Sequence, residues 1–378
     1  MEVLTVVSYL SSFLTIIYLL VVFGFIRGWH KLVPFQYRQT KGTTAVSIII
    51  AARNEAESIH RTVEALLAQN YDRALTEIIF IDDHSTDRTA EIIRSYADRG
   101  VKLIILNEDR ALNSYKKKAI QTAIGQASGS LIVTTDADCR MGPLWLQTIV
   151  AFYEEKKYKM ISSPVAYDEE KSLFERSQSL EFLYLIGLGA STIGNKKPST
   201  CNGANLAYER EAFYEVGGFQ GIDDLASGDD ELLLHKIAAR YDNQIGFLRN
   251  TDAIVYTHAK PNLEDFLQQR KRWASKSTRY KNKSIIVLGV FIWFFNLSIL
   301  LNLLAGIFFI GYLKIAVLQL IFKMAIELLF LSGVTGFAKR RSLLVLLPVL
   351  NVLHVLYIIY IGIAGNSGKY NWKGRMVK

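Results

Sequence analysis

An uninterrupted apolar run near the start of the chain constrains its fold more than any other feature. Residues 4–26 (LTVVSYLSSFLTIIYLLVVFGFI) contain no charged side chain and are long enough to cross the hydrocarbon core of a bilayer. The run has neither a cationic leader nor a clear small-residue cleavage site, so we expect an uncleaved anchor and not a signal peptide. Three further apolar runs follow near residues 285–310, 312–331 and 343–364. The sequence therefore predicts an integral membrane protein.

The Lys and Arg residues beside these runs predict its orientation. Four of them follow the first run within residues 27–41, and the basic segment 270–283 (RKRWASKSTRYKNK) precedes the second run. Because positively charged flanks stay in the cytoplasm, we expect the residues between the first two runs to be cytoplasmic. Three later spans would carry the basic tail, residues 366–378, to the opposite side. This conflict leaves room for a re-entrant or interfacial segment among the three late runs.

The excess of positive charge is concentrated at these membrane edges. The formal net charge is +9, which suits anionic lipid headgroups. No nucleic-acid-binding motif accompanies the charge, so we expect no nucleic-acid partner. The two cysteines, Cys139 and Cys201, have no metal-binding spacing, and a cytoplasmic domain would keep them reduced.

The residues between the anchor and the late runs alternate short apolar stretches with helical patterns. The predicted strands are 45–51, 77–82, 101–106 and 130–135, and the predicted helices lie near 57–69, 86–98 and 114–127. This alternation predicts an α/β fold with a mostly parallel sheet and helices on both of its faces. Ligands of such sheets bind beyond the carboxyl ends of the strands.

Polar residues follow three of the predicted strands at that edge. The segment 52–55 (ARNE) follows the first strand, 82–87 (DDHSTD) the second and 136–139 (DADC) the fourth. Side chains two residues apart on an extended segment point the same way, so Asp136 and Asp138 can converge on one point. Two like charges so close need a cation, and Mg²⁺ or Mn²⁺ suits carboxylates together with diphosphate oxygens. The alternative is an Asp-rich turn that caps the next helix.

The other polar residues of this edge each have two interpretations. Asp83 is suited to accept a hydrogen bond from a nucleotide base, whereas residues 85–87 are typical of a helix start. Glu55 is either another nucleotide contact or an acid in the first turn of a helix. The lysines at 116–118 are either a solvated helix face or the source of a phosphate contact. His84 is predicted to lie on the surface.

Two segments beyond residue 200 add candidates. CNGANLAYERE places Gly203 and Asn205 in a loop before a short strand, where small residues permit close approach of a ligand. SGDDELLLHKI places Asp229 and Asp230 at the start of a helix. Either Ser227 caps this helix and the acids complement its dipole, or one aspartate acts as a base near the reacting centre.

A basic amphipathic helix is predicted just before the second apolar run. The segment 262–277 (NLEDFLQQRKRWASKS) carries Asn262 as a capping residue. Gln269, Arg272 and Trp273 fall on one face, because the second and third follow the first by three and four residues. A basic helix with an aromatic residue beside a span is also typical of an interfacial anchor.

Taken in order, these motifs resemble those of the membrane-bound inverting glycosyltransferases of family 2, which have the GT-A fold. Gln269-x-x-Arg272-Trp273 is similar to the signature shared by cellulose, chitin and hyaluronan synthases and by ceramide glucosyltransferases. The resemblance covers roughly residues 45–283 and the flanking spans. The predicted domains are a transmembrane anchor (1–30), a GT-A domain (40–260), an amphipathic interfacial helix (261–283), C-terminal transmembrane helices (284–365) and a basic tail (366–378).

The resemblance also implies a role for each candidate residue. It implies donor nucleotide binding by Arg53, Glu55, Asp83, Lys116 and Asp136, and metal binding by Asp136 and Asp138. It implies that Asp230 is the catalytic base. It implies an acceptor and diphosphate site formed by Gly203, Asn205, Asp229, Gln269, Arg272 and Trp273.

The implied activity is metal-dependent transfer of a sugar, with Mg²⁺ or Mn²⁺, from a nucleotide-sugar donor to a lipid or lipid-linked acceptor. The expected donor is a UDP-sugar, and the expected location is the cytoplasmic face of the membrane. One alternative is a processive polysaccharide synthase, which the Gln-x-x-Arg-Trp signature favours. A second is a membrane scaffold that binds nucleotide sugars without catalysis. The small number of candidate spans favours transfer to a lipid.

Overall fold

The computed structural model describes residues 2–37, 42–108, 112–280 and 282–365, and the backbone of 370–372 and 375–377. Three of the basic residues used to predict orientation, Arg38, Lys41 and Lys281, lie outside the described residues, as does part of the basic tail. The chain forms two compact units. The sheet unit comprises Leu32–Glu170, Thr192–Ala259 and Lys369–Lys378, and the helical unit comprises Met1–Lys31, Lys171–Ser191 and Lys260–Gly368.

The described strands are β1 (Val46–Ala52), β2 (Thr76–Asp82), β3 (Val101–Ile105), β4 (Leu131–Thr134), β5 (Arg140–Met141), β6 (Met160–Ser162), β7 (Val165–Tyr167), β8 (Leu206–Glu209), β9 (Ile245–Phe247), β10 (Val255–Thr257), β11 (Tyr370–Trp372) and β12 (Arg375–Val377). The described helices are α1 (Glu2–Lys31), α2 (Ile59–Leu67), α3 (Thr89–Arg94), α4 (Tyr115–Gln126), α5 (Trp145–Lys156), α6 (Leu173–Gly194), α7 (Arg210–Glu215), α8 (Glu231–Arg240), α9 (Leu263–Ser275), α10 (Lys283–Gly306), α11 (Ile310–Phe337) and α12 (Leu347–Ala364).

The sheet unit is built on a seven-stranded sheet with the order β3, β2, β1, β4, β8, β6, β9. The first four strands are parallel, β8 runs antiparallel to both of its neighbours, and β9 is parallel to β6. All four predicted strands are confirmed, with ends that differ by one residue or less. The β1 sequence VSIIIAA is almost wholly buried, as expected for a central strand covered on both faces. The three predicted helices are present as α2, α3 and α4, although α2 and α3 are shorter than predicted.

Glu77 links neighbouring segments by hydrogen bonds at the amino ends of β1 and β2. Glu77 Oε2 accepts hydrogen bonds from Ser47 Oγ (2.5 Å) and from the backbone N–H of Ser128 (2.9 Å). Glu77 Oε1 accepts a hydrogen bond from Lys102 Nζ (2.6 Å). Burial by itself would raise the pKa of Glu77, but these hydrogen bonds outweigh it and lower the pKa to about 2. The ionised carboxylate therefore contributes to the stability of the sheet at neutral pH.

The helical unit contains four segments that are long and apolar enough to cross a membrane, within the described residues: Glu2–Lys31, Lys283–Gly306, Ile310–Phe337 and Arg341–Ala364. These segments confirm the four predicted apolar runs. α1 and α11 run in the same direction, because Tyr18 contacts Glu327 and Trp29 packs against Phe337 at their ends. Polar side chains join the helices inside this bundle, where Gln319 Oε1 accepts a hydrogen bond from Asn302 Nδ2 (2.9 Å).

One long helix of the helical unit was not predicted from the sequence. The part of α6 up to Ser191 belongs to the helical unit, although it falls inside the predicted GT-A domain at 40–260. In the same unit, α9 confirms the predicted amphipathic helix, and Asn262 Oδ1 accepts the capping hydrogen bond from Asp265 N (2.9 Å). A buried ion pair joins the two helices, with both carboxylate oxygens of Glu181 in contact with the Arg270 guanidinium.

Candidate active site

The carboxyl ends of β1, β2 and β4 lie side by side, as the sequence predicted. Ala52 and Asp82, the last residues of β1 and β2, are register partners, and the N–H of Asp83 donates to the carbonyl of Ala52 (2.8 Å). On the other side of β1, the N–H of Thr135 donates to the carbonyl of Ile49 (3.4 Å). The three polar segments that follow these strands therefore share one edge of the sheet.

Arg53 joins the loop after β1 to the loop after β2. Its Nη1 donates hydrogen bonds to the carbonyl oxygens of Asp83 and His84, each at 2.8 Å. The backbone of Asn54 has a positive φ of 50°, and its side-chain oxygen accepts a hydrogen bond from Thr86 N (2.8 Å). Arg53 thus holds the backbone that carries Asp83.

The loop after β2 presents a buried pair of carboxylates. The Asp83 side chain is only 2% exposed, and its Oδ1 lies 3.0 Å from His84 Nδ1. His84 is half-buried, with its side chain 34% exposed, and it lies edge-on to Tyr115, with ring centroids 5.6 Å apart. Asp82 Oδ2 accepts a hydrogen bond from Ser85 N (3.1 Å). Among the described residues, the buried Asp82 Oδ1 has no hydrogen-bond partner, so this loop holds a polar atom suited to a ligand or a water.

Glu55 lies at the start of α2. Its Oε2 accepts a hydrogen bond from Ser58 Oγ (2.8 Å), and its carbonyl accepts from the N–H of Ile59 (2.9 Å). The N–H of Glu55 donates to Thr89 Oγ1 (2.8 Å), which links the starts of α2 and α3. Of the two interpretations of Glu55, this geometry favours the helix-start acid.

Asp136 and Asp138 lie in the turn after β4 and form a cluster with Cys139. One ligand atom from each of these three side chains lies within 4.8 Å of the other two. Burial, and then the carboxylates of Asp138 and Asp136, raise the pKa of the Cys139 thiol well above its ordinary value. The two carboxylates are therefore the favoured ligands, and hard oxygen ligands suit Mg²⁺ or Mn²⁺. The residues present thus fit a divalent cation.

Lys116 connects this acidic turn to the start of α8. Its Nζ lies 2.8 Å from Asp136 Oδ1 and 3.1 Å from Asp229 Oδ2. Burial alone would lower the pKa of Lys116, but the carboxylates of Asp136, Asp229 and Asp230 outweigh it and hold the pKa above its ordinary value. The ammonium group is therefore charged at all physiological pH values. It neutralises part of the negative charge that gathers at this edge of the sheet.

Lys117 is buried and holds the backbone before the Asp229-Asp230 pair. Its Nζ donates to the carbonyl oxygens of Ile222 (2.6 Å), Leu225 (2.6 Å) and Ser227 (2.7 Å). Burial lowers the pKa of Lys117 to about 8, although nearby carboxylates, first among them Asp229, oppose the shift. Interpreting lysines 116–118 as a solvated helix face is therefore wrong for Lys117. Only Lys118, which pairs with Glu108, is exposed.

Asp230 is held in place by backbone groups. Its Oδ1 accepts a hydrogen bond from Glu231 N (2.6 Å), and its Oδ2 accepts one from Gly203 N (3.1 Å). Asp230 itself is the capping residue of α8, so the interpretation of Ser227 as the cap is wrong. A Cβ on Gly203 would lie 3.3 Å from Asp229 Oδ2, so the small residue permits this close approach. Gly203, Asp229 and Asp230 thus form one site together with Lys116.

Asn205 does not belong to this cluster. Its side chain is fully buried, and Nδ2 donates to the carbonyl oxygens of Pro164 and Ala253, each at 2.7 Å. Oδ1 accepts a hydrogen bond from Trp145 Nε1 (3.0 Å). Both amide hydrogens are used, because Asn205 joins separate segments of the core. The structure therefore contradicts the prediction of a ligand contact for Asn205.

The Gln-x-x-Arg-Trp segment lies on α9 in the helical unit, with its three residues half-buried. Gln269 Oε1 accepts a hydrogen bond from Arg270 Nη1 (2.5 Å), and the Arg270 guanidinium lies 4.3 Å from the centre of the Trp273 ring. Trp273 also packs near Phe182 of α6. The predicted roles of Gln269, Arg272 and Trp273 in acceptor and diphosphate binding stay predictions.

Sequence reasoning missed Thr257, which lies near the cluster, and it did not distinguish Lys117 from the lysines beside it. Thr257 Oγ1 donates a hydrogen bond to Asp138 Oδ2 (3.4 Å) from β10, which is distant in sequence. No local pattern points to Thr257. The role of Lys117 had a signal, because it precedes the buried Ile120 and Ile124 by three and seven residues and so lies on the buried face of α4.

The chain is similar in sequence to known glycosyltransferases. The profile of "Glycosyl transferase family 2" matches residues 47–217. Glycosyltransferase AglE of Haloferax volcanii is 36% identical over 187 residues, which cover 49% of this chain and 58% of that protein. The undecaprenyl-phosphate 4-deoxy-4-formamido-L-arabinose transferase of Yersinia enterocolitica is 35% identical over 143 residues, 35% of this chain and 40% of the relative.

A more distant relative and a solved structure extend the comparison. The poly-beta-1,6-N-acetyl-D-glucosamine synthase of Staphylococcus epidermidis is 24% identical over 253 residues, 64% of this chain and 56% of that protein. The chain thus spans less than two thirds of the length of these curated relatives. The mannosyltransferase PcManGT from Pyrobaculum calidifontis, solved with GDP-Man and Mn²⁺, shares the fold, with a TM-score of 0.55, 19% identity and coverage of 93% of this chain and 98% of that one. Residues 47–217 thus match a glycosyltransferase family 2 domain.

Proposed function

We propose that this protein transfers a sugar from a nucleotide-sugar donor, a UDP-sugar, to a lipid or lipid-linked acceptor at the cytoplasmic face of the membrane. The observation that carries the proposal is the position of Lys116, whose ammonium contacts both Asp136 and Asp229. It connects the acidic turn after β4, suited to a diphosphate and its metal, to the helix start that carries the candidate base.

The donor would occupy the edge formed by the ends of β1, β2 and β4. Asp83, whose backbone carbonyl accepts a hydrogen bond from Arg53, would accept a hydrogen bond from the nucleotide base. A divalent cation held by Asp136 and Asp138 would neutralise charge on the departing diphosphate. The fold shared with PcManGT, which was solved with a nucleotide sugar and Mn²⁺, is consistent with this assignment.

Asp230 would act as the base. Its carboxylate accepts a proton from an acceptor hydroxyl while that oxygen attacks the anomeric carbon of the donor sugar. The bond between the anomeric carbon and the diphosphate oxygen breaks, and its electron pair leaves with the nucleoside diphosphate. A single attack from the opposite face inverts the anomeric centre. The hydrogen bonds from Gly203 N and Glu231 N orient the carboxylate for this step.

The apolar helices and the relatives support a lipid-linked acceptor. Four described segments are suited to a membrane, and one relative is named as an undecaprenyl-phosphate sugar transferase. The Staphylococcus relative is named as a polysaccharide synthase, which makes processive synthesis the second candidate. The small number of candidate spans favours transfer to a lipid.

The test is sugar transfer in membranes that contain the full chain, with a panel of labelled nucleotide sugars and either Mg²⁺ or Mn²⁺. A discrete product in the organic phase is expected, and a long water-soluble polymer would instead establish a polysaccharide synthase. Asp230→Asn should lower the rate by about 10²- to 10⁴-fold, as expected for loss of a positioned base. The control is Asp223→Asn, which changes an exposed acid in the preceding loop. Equal rates for the two variants would exclude Asp230 as the base.

A further inference from the structure

Contacts among the long helices define a common level inside the bundle. α10 runs antiparallel to α1, because Ser11 accepts a hydrogen bond from Asn302 (2.9 Å) and Tyr18 stacks on Phe295, with ring centroids 4.2 Å apart. Tyr18 also donates a hydrogen bond to Glu327 of α11. Tyr18, Phe295 and Glu327 therefore lie at one level along the bundle axis, which we call the Tyr18 level.

α12 stays close to the Tyr18 level from Asn351 to Ile359. Near its start, Asn351 Nδ2 donates to Glu327 Oε2 (3.2 Å). Two turns later, the carbonyl of Ile359 accepts a hydrogen bond from Trp293 Nε1 (3.2 Å). Trp293 precedes Phe295 on α10 by two residues, so it lies only about 3 Å from the Tyr18 level along the bundle axis. Over the eight residues from Asn351 to Ile359, α12 advances about 12 Å along its own axis. A helix that crossed the membrane would change level by nearly its full advance. α12 therefore lies across the bundle axis.

The depth of this level matches that of an interfacial helix. The exposed apolar side chains of α1 extend from Val3 to Phe23, a length of about 30 Å, which is the thickness of the hydrocarbon core. Tyr18 lies five residues, or about 8 Å, inside the Phe23 end of this band. Interfacial helices bury their apolar faces about 5–10 Å into the boundary between headgroups and acyl chains.

α12 has an exposed apolar side, and elsewhere it contacts polar groups of the helical unit. Its exposed apolar side chains are Val349, Val352, Leu353, Leu356, Tyr360 and Ile363. Its buried side is largely apolar, with Leu347 and Val355, but includes Asn351, which contacts Glu327. Tyr357 OH donates a hydrogen bond to Glu181 Oε1 (3.3 Å) of α6. The exposed side thus suits acyl chains.

The tail gives a second, independent argument. The described tail strands, β11 and β12, belong to the same compact unit as the seven-stranded sheet. If α12 crossed the membrane, the chain would cross four times, and its tail would emerge on the side opposite the sheet unit. Crossing by α1, α10 and α11 alone returns the tail to the same side, which also agrees with its basic composition.

We propose that α12 is an interfacial helix whose apolar face inserts into the acyl boundary of the leaflet on the side of the sheet unit. The chain then crosses the membrane three times. Its C-terminal tail and its sheet unit lie on the same side. This proposal does not depend on the proposed catalytic activity.

Spin-label depth measurements on the full chain in lipid vesicles test the orientation of α12. Single cysteines would replace Val349, Leu356 and Ile363, which share the exposed face at seven-residue spacing. The three labels are expected within about one helical turn, 5 Å, of the same depth. Depths that increase by about 10 Å per position would overturn the proposal, because that is the advance of a crossing helix over seven residues.

A matched series on α10 calibrates the measurement. Val287, Phe294 and Leu301 are also exposed and seven residues apart, and their labels are expected to differ by about 10 Å per step. Both series would be made with Cys139 and Cys201 replaced by alanine, since these are the two cysteines of the chain.

Labelling of intact cells with a membrane-impermeant maleimide tests the side of the tail. Single cysteines would be placed at Lys378, at Lys156 of the sheet unit and at Phe308 between α10 and α11. In intact cells, Lys378→Cys and Lys156→Cys are expected to give the same result, either labelled or unlabelled. Phe308→Cys is expected to give the other result. If Lys378→Cys reacts together with Phe308→Cys, α12 crosses the membrane and the proposal is wrong.

Discussion

Replacing Lys117 by methionine should loosen the backbone that precedes the candidate base. The variant keeps the length of the side chain but removes the donor of three hydrogen bonds to the carbonyl oxygens of residues 222, 225 and 227. A hydrogen bond to a charged group contributes about 1.5–3 kcal/mol. Burial of the ammonium offsets part of the sum, as its pKa of about 8 indicates. We therefore expect a net loss of about 2–4 kcal/mol, toward the upper end of the usual effects of single substitutions.

Hydrogen exchange measures this loss without reference to activity. A cost of about 2–4 kcal/mol corresponds to roughly 30- to 800-fold faster exchange of the amides in residues 222–230, if they exchange through local opening. The control is Lys118→Met on the same helix, because the Lys118 side chain is exposed and pairs only loosely with Glu108 at 3.4 Å. In a transfer assay, Lys117→Met should lower kcat, with little change in KM for the donor. Equal exchange in the two variants would refute the role assigned to Lys117.

Three further predictions concern other groups. Glu77 has a pKa of about 2 in the folded protein against an ordinary 4.5, so it contributes up to about 3 kcal/mol to the free energy of unfolding above pH 4.5. This contribution is lost as the pH falls toward 2. The Tm of Glu77→Gln should lie below that of the unmodified protein at pH 7, and a difference in Tm that did not narrow in acid would contradict this. Glu181→Gln leaves Arg270 buried without its counter-charge, so thermal unfolding should show a loss of about 3–5 kcal/mol, unlike the exposed-site change Glu264→Gln. Asp138→Asn should raise the Mn²⁺ concentration needed for half-maximal transfer, and an unchanged metal titration would remove Asp138 from the metal site.

Much of the sheet unit followed from local pattern. Buried parallel strands require continuous apolar runs, so the ends of β1 to β4 could be predicted to within a residue. Because these strands run in the same direction, Asp83, Asp136 and Asp138 could be predicted to lie at one edge of the sheet. The shared edge is a consequence of parallel pairing itself, because every carboxyl end points the same way. The short helix α3 was overpredicted at both ends, since its boundaries depend on loop hydrogen bonds and not on periodicity.

Side-chain partners were harder to predict. Asn205 was expected to face a ligand, but it contacts the carbonyl oxygens of Pro164 and Ala253, which are distant in the chain. Lys117 was interpreted, with its two neighbours, as part of a solvated helix face or as a phosphate contact, because nothing local shows that three carbonyl groups of a later loop converge on its ammonium. The sequence does not say which buried polar groups meet, since such pairs join segments far apart in the chain.

The sequence by itself determined the apolar segments, the α/β rhythm and the set of residue types at the strand ends, because these depend on periodicity and composition. Tertiary structure decided which charges neutralise each other, as in the contacts of Lys116 with Asp136 and Asp229. It also determined the direction of α12, which by length and composition alone suits a membrane span. Hydropathy measures the preference of a segment for lipid, whereas its angle to the membrane is set by contacts with neighbouring helices.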